Sequence, residues 1–121
     1  MAKVTVTING TLAKDGKMKF TPSGVPVMEF SIPIQVSWGD DPKTDWWKVA
    51  VFGKMLEDKP KYAEMFRKGA HVIIRDAKPS IQIWDKDGKP QLSMGVSCNT
   101  QDVDFGYIPK KESSGSDDED M

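Results

Sequence analysis

The sequence predicts an all-β domain, a five-stranded barrel with one short helix between its third and fourth strands. Apolar residues alternate with polar ones along most of the chain, which is the two-residue period of strands buried on one face. One segment has helical spacing instead, and clusters of glycine, proline and aspartate separate the strands. The length of 121 residues suits one domain with one core.

The first two strands follow from this alternation. Val4, Val6 and Ile8 alternate with threonines, and Gly10 predicts a bulge or bend in the first strand. The second strand follows the turn-rich segment TPSGVP, and Pro33 predicts an edge position or a bulge within it. Its predicted core face carries Met28, Phe30, Ile32, Ile34 and Val36.

The third strand contains two adjacent tryptophans within the sequence TDWWKVAVFGK, residues 44–54. Because successive side chains of a strand point to opposite faces, the two rings cannot both lie in the core. The predicted core face carries Trp47, Val49 and Val51, with Trp47 assigned either to the core or to a subunit interface. The opposite, exposed face carries Trp46, Lys48, Ala50 and Phe52.

The segment EDKPKYAEMFRKG, residues 57–69, predicts the helix, with Pro60 near its start and Gly69 just past its end. AHVIIRD then predicts the fourth strand, and residues 80–98 a protruding hairpin that turns at Asp87-Gly88. Ile81 and Ile83 share one face of this hairpin, so Trp84 is expected on the opposite, more exposed face. The return strand is predicted to alternate through Leu92, Met94, Val96 and Cys98.

This order of strands and helix is the arrangement of the OB-fold, a small barrel that binds oligonucleotides across one face and its loops. We expect the domain to span residues 1–109. Residues 110–121 are expected to be a disordered acidic tail, because they are poor in apolar residues. Five acids and no base follow residue 111, so the remainder has four more basic than acidic residues, which suits a polyanionic partner.

Composition argues against catalysis and cofactors. The chain has one histidine, His71, and one cysteine, Cys98, which removes most metal sites, most nucleophilic triads and any internal disulfide. Three carboxylates near the tryptophans (Asp40, Asp41 and Asp45) are interpreted as a solvated loop, not as a metal-dependent nuclease site. We expect no enzyme activity, metal or cofactor. With no signal-peptide pattern and no apolar stretch of spanning length, a cytoplasmic protein is expected.

Four aromatic rings are candidates for contact with bases: Trp38, Trp46, Phe52 and Trp84. Unpaired bases present flat faces on which aromatic side chains stack with little sequence preference. The cations predicted to contact phosphates are Lys48, Lys54, Arg67, Lys68, Lys86 and Lys89. Rings interleaved with cations indicate binding of single-stranded nucleic acid.

From about residue 4 to residue 104 the chain resembles the bacterial-type single-stranded DNA-binding protein family. TDWWKVAVFGKMLE is similar to the family's Thr-Glu-Trp-His-Arg-Val-Val-Leu-Phe-Gly-Lys stretch, and FTPSGVPVMEFSI, FRKGAHVII and IWDKDGK resemble three further family segments. The resemblance implies base stacking on the four aromatics named above and a homo-oligomer, a tetramer or a dimer. It also implies roles in replication, recombination or repair, and a tail that contacts replication or repair proteins.

Several positions depart from the family pattern. Trp47 stands where the family usually has a histidine near its subunit contacts, and Pro79 is expected to interrupt a strand ladder. The tail ends in Asp-Asp-Glu-Asp-Met in place of the family's acidic tip with Ile-Pro-Phe. The short tail fits a bacteriophage or mobile-element origin. The alternative function is an OB-fold module for protein interaction or primosome assembly, in which the rings form a protein interface.

Overall fold

A computed structural model describes residues 3–37 and 39–110. Within them the strands are β1 (Val6–Thr11), β2 (Lys17–Phe20), β3 (Pro26–Ser37), β4 (Lys43–Phe52), β5 (His71–Lys86), β6 (Lys89–Asn99) and β7 (Val103–Phe105). The helices are α1 (Met55–Asp58) and α2 (Pro60–Ala63), and a 3-10 turn spans Thr100–Asp102. Trp38 and residues 111–121, which include nearly all of the expected tail, lie outside the described residues.

The strands form a sheet in the order β1-β5-β6-β4-β3-β2, with β7 paired to β5. β4 and β6 run parallel, and the other pairs are antiparallel. β1 also packs against β3, which brings distant strands of this order together and curls the sheet. The predicted all-β architecture is confirmed, with the helical segment between the third and fourth predicted strands, here β4 and β5.

Two strands were not predicted. β2 is four residues long and all four are exposed, and the alternation in KMKF is too short a run to identify a strand. β7 has three residues and extends the sheet beside β5. The predicted fourth strand and the first strand of the hairpin are instead one continuous strand, β5, which pairs with β1 up to Ala77 and with β6 from Lys78 onward.

The expected effects of three residues on the ladders differ from those observed. Gly10 pairs regularly with Val72, and the bulge lies between Val6 and Ile8. A Cβ at Gly10 would lie 2.4 Å from Cγ2 of Ile32, so glycine is required by the close approach of β1 to β3. The register of β5 continues through Pro79, which stands past the part of β5 that β1 covers, so the expected interruption is wrong.

Pro33 stands on a local edge of β3, as predicted, since β2 pairs with β3 only over residues 26–29. Its missing N–H therefore removes no bond to β2.

The predicted helix is divided into two short helices. Pro60 disfavours a helical conformation for the residue before it, and Lys59 has φ −126° and ψ 86°. The helical spacing nevertheless places Phe66 in the core and Tyr62 at its margin. Gly69 has a positive φ of 89°, but it follows a turn and donates its N–H to the carbonyl of Leu12, so its expected position next to the helix end is wrong.

The core lies between the curved strands and the helical segment. Its largest fully buried side chains are Leu12, Ile32, Leu56, Ile74, Val49, Val51 and Val72. Phe66 packs at a tilt against Phe30 and edge-to-face against Tyr62 and Phe105, with ring centroids 5.0–5.5 Å away. Two predicted core residues, Val36 and Leu92, are exposed instead, because each lies near a strand end that extends beyond the barrel.

Candidate nucleic-acid interface

The exposed face of β4 carries two aromatic rings with a lysine between them. Trp46, Lys48 and Phe52 stand at even spacing on this face, and the core residues Val49 and Val51 stand on the other. Trp46 is 54% exposed, so its ring is open to a ligand, and Phe52 is half-buried. The alternation predicted from the sequence is confirmed along this strand.

Neighbouring strands extend this face into a groove of about 900 Å³. Lys48 stands opposite Ser31 of β3 and Gly95 of β6, and Gly95 stands opposite Ser80 of β5. Residues directly opposite one another in a sheet share a face. Small side chains therefore form the floor of the groove, which leaves room for flat groups between the rings.

The wall of the groove beside β2 is basic. Lys14, Lys17 and Lys19 line it together with Lys48, and none of the first three was among the predicted site residues. The KMKF sequence places Lys17 and Lys19 on alternate positions and so on one face, but the sequence does not show that this face joins the groove. Two carboxylates also line the groove, those of Asp15 and Glu29.

Trp84 stands on the long hairpin formed by β5 and β6. It shares the strand face of Ser80, which lines the groove, and it is 46% exposed. The opposite face of the hairpin carries Ile81 and Ile83, which are 60% and 72% exposed. The expectation that Trp84 occupies the more exposed face is therefore wrong: both faces of the ribbon project beyond the barrel.

The hairpin turn has the predicted chemistry. Asp87 and Gly88 both have positive φ, 53° and 78°, and they connect the paired residues Lys86 and Lys89. Positive φ at both central residues is what the type I′ turn requires, one of the two tight turns that commonly join antiparallel strands. The turn thus places two exposed cations at the tip of the hairpin.

The groove brings together only part of the predicted site. Lys54 follows β4 and is exposed. Lys68 stands beside the groove, because its backbone N–H donates to Oδ1 of Asp15 at 2.8 Å. Arg67 is half-buried, and its buried Nε has no hydrogen-bond partner in the described part of the chain. Neither these three nor the tip lysines line the groove, and Trp38 lies outside the described residues.

Two titratable groups near the barrel interior have pKa values raised by burial, those of Cys98 and Tyr62. Burial and, secondarily, the charge of Asp102 raise the pKa of Cys98 to about 12. Burial is also the main cause that raises the pKa of Tyr62 to about 12, and its hydroxyl donates to the carbonyl of Thr100. Over residues 3–37 and 39–110, no three of the His, Cys, Asp and Glu side chains group in a way that could hold a metal ion.

A curled barrel with a helical segment between β4 and β5, and with rings and lysines along an open groove, defines an OB-fold binding domain. The model of the family described as "Single-strand binding protein family" matches residues 3–105. The chain therefore belongs to the single-strand binding protein family, and single-stranded DNA binding is the function that this membership assigns.

A solved structure titled "Plasmodium falciparum SSB complex with ssDNA" is similar to this chain, with a TM-score of 0.63 and 18% identity. The similarity covers 90% of this chain and 98% of that chain. At this identity the likeness supports the fold. In the part of the chain described by the structure, no helix has the length and hydropathy needed to cross a membrane.

Proposed function

We propose that this protein is a non-catalytic, largely sequence-independent single-stranded DNA-binding protein that binds by base stacking and phosphate contacts. The observation that carries the proposal is the row of Trp46, Lys48 and Phe52 on the groove face of β4. A ring, a cation and a ring on one face match the alternation of bases and phosphates in an unpaired strand. A duplex hides its base faces by stacking, so these rings favour single strands.

Base stacking is assigned to Trp46, Phe52 and Trp84, with Trp38 as the fourth ring. Each stacked base contributes about 1–3 kcal/mol, with little dependence on sequence. The exposure of Trp46 and Trp84, 54% and 46%, leaves apolar surface that a base would cover. The small residues beside Lys48 (Ser31, Ser80 and Gly95) support this assignment, because they leave open space on the groove floor next to the rings.

Phosphate contacts are assigned to the groove lysines Lys14, Lys17, Lys19 and Lys48, and to the surrounding cations Lys54, Arg67, Lys68, Lys86 and Lys89. Each contact with a single strand displaces counterions, so affinity falls with salt with a log–log slope of about −0.7 per contact. Binding is therefore expected to weaken strongly as salt is added.

Titration with poly-dT while tryptophan fluorescence is recorded tests this function. Strong quenching is expected, with poor competition by duplex DNA of equal length and weaker binding at higher salt. Unchanged fluorescence, together with no shift of a labelled oligonucleotide, would instead support the alternative function in protein interaction. The exposed hairpin face with Ile81, Ile83 and Leu92 is the observation that favours this alternative.

The absence of catalysis is tested separately. A labelled oligonucleotide incubated with the protein and magnesium is expected to stay intact, and cleavage would overturn this part of the proposal.

We place the protein in the cytoplasm, of a bacterium or of the host of a phage, where it would coat unpaired strands in replication, recombination or repair. The buried free thiol of Cys98 suits such a reducing compartment.

We also propose that the protein is a homo-oligomer, a dimer or a tetramer. The exposed apolar residues of the hairpin support this, because single domains rarely leave contiguous apolar surface uncovered. Sedimentation with and without a dT oligomer measures the native mass, and a monomer at micromolar concentration would contradict assembly.

The acidic tail is proposed to compete with DNA for the basic groove and to contact replication or repair proteins. The five carboxylates after residue 111 are joined to the domain by a short segment, so they can occupy a cationic surface when DNA is absent. Deletion of residues 112–121 is expected to raise affinity at low salt. If the deletion leaves the salt dependence of DNA affinity unchanged, the tail serves only to keep the protein soluble.

A further inference from the structure

Glu29 stands in the middle of the basic wall of the groove. It is opposite Lys17 on β2 and opposite Ala50 on β4, so its side chain shares the groove face with both. Its Oε1 lies 2.9 Å from Nζ of Lys19, which also lines the groove. A carboxylate thus holds one of the four lysines that the groove offers to a phosphate.

This ion pair contributes little to the fold. The side chains of Lys19 and Glu29 are 61% and 47% exposed, and exposed pairs of this kind add little stability because water and salt screen them. Asp15, the other carboxylate in the groove, differs: it accepts the backbone N–H of Lys68 and so fixes a loop. Stability of the fold therefore does not explain why a carboxylate, that of Glu29, stands among the groove lysines.

We infer that Glu29 attenuates the affinity of the groove for single-stranded DNA by competing with a phosphate for Lys19. This inference rests on the proposed function. In the empty groove Glu29 neutralises Lys19. When a strand binds, a phosphate replaces the carboxylate on Lys19, and the freed carboxylate stays in the groove and repels the strand.

The affinity of the groove for single-stranded DNA is therefore lower than it would be with the four lysines and no carboxylate at Glu29. The exchange is easy, since an exposed lysine can turn between a carboxylate and a phosphate with little change in solvation. A coating protein that must leave the strand for other enzymes would gain faster release from such a competitor, because affinity differences appear mostly in the dissociation rate.

The test replaces Glu29 by glutamine, which keeps the size and removes the charge. Glu29→Gln is expected to bind a labelled dT oligomer about three- to tenfold more tightly at low salt. The log–log salt slope should stay nearly unchanged, because Lys19 contacts a phosphate in both proteins. Dissociation should slow by a similar factor.

Two controls separate local competition from net charge. Glu57→Gln removes the same charge on α1, outside the groove, and is expected to leave affinity nearly unchanged. In the Glu29→Gln background, Lys19→Met should remove the gain, because no freed lysine remains. Thermal melting confirms that each variant is folded.

The outcomes separate attenuation by Glu29 from the proposed binding of single-stranded DNA, on which it rests. If the wild-type protein does not bind the oligomer, the proposed function fails. If the wild type binds and Glu29→Gln binds no better than Glu57→Gln, attenuation by Glu29 is wrong. Weaker binding by Glu29→Gln would also overturn it, since Glu29 would then hold Lys19 in a productive position.

Discussion

Trp46 and Trp47 are neighbours in β4 that face opposite sides of the sheet. Trp46 lies opposite Pro33 and is 54% exposed, whereas Trp47 lies between Ile32 and Met94 and packs against the core. One indole is therefore open to a ligand, and the other is half-buried against the core.

Replacing each tryptophan in turn should separate binding from stability. Trp46→Ala is expected to cost at least about 1 kcal/mol in oligonucleotide affinity with little change in melting temperature. Trp47→Ala is expected to lower stability or disrupt assembly, because it leaves a cavity beside the core. Anisotropy of a labelled dT oligomer and thermal melting measure the two effects. Reversed results would mean that the two faces are assigned incorrectly.

The hairpin ring offers a second test of stacking. Trp84→Ala is expected to weaken binding by about 1–3 kcal/mol and to leave the melting temperature unchanged, since the ring stands outside the core. Trp84→Phe, which keeps an aromatic ring at the same position, is the matched control and should bind nearly as the wild type does. Equal losses in both variants would show that stacking on a ring at this position is not what the hairpin contributes.

The lysines of β2 should appear in the salt dependence. Lys17→Ala is expected to reduce the magnitude of the log–log slope of affinity against salt by about 0.7, because one phosphate contact is lost. Lys61→Ala removes the same charge from α2, outside the groove, and should leave the slope unchanged. An unchanged slope for Lys17→Ala would exclude β2 from the path of the strand.

Much of this fold could be predicted from the alternation of side chains. The faces of β4 followed from the positions of Trp46, Lys48 and Phe52, since a strand that is buried on one face leaves little choice of orientation. The turn at Asp87-Gly88 followed from residues that tolerate positive φ. These features depend on local chemistry, which the sequence carries directly.

The basic wall could not be predicted in the same way. Lys17 and Lys19 lie far in sequence from Lys48, and only the pairing of β2 with β3 brings them to one groove. KMKF alternates lysines with Met18 and Phe20, but the run has only four residues and none of them is buried, so it separates poorly from a loop. β5 is one continuous strand for the same reason. It pairs with β1 up to Ala77 and with β6 from Lys78 onward, and these long-range pairings are not visible in its own sequence.

Cys98 predicts a loss of stability in alkali. Its pKa in the folded protein is raised to about 12 from an ordinary value of 9.0, chiefly by burial. The unfolded thiol therefore ionises first, so stability is full below pH 9 and falls as pH rises toward 12. Between pH 9 and 10.5 the loss should exceed that of Cys98→Val by on the order of 1 kcal/mol. Urea unfolding measures it, and equal losses would contradict the buried neutral thiol.

Gly10 should be intolerant of any side chain. A Cβ there would lie 2.4 Å from Cγ2 of the fully buried Ile32, so β1 and β3 would have to separate. Gly10→Ala is expected to lower the free energy of unfolding by about 1–3 kcal/mol, as overpacking in a core does. Gly95→Ala is the matched control, because its Cβ would meet the carbonyl oxygen of Lys48 at an ordinary 3.4 Å. Urea unfolding should leave this control near the wild type, and equal destabilisation of both variants would show that strand glycines matter here for another reason than close approach.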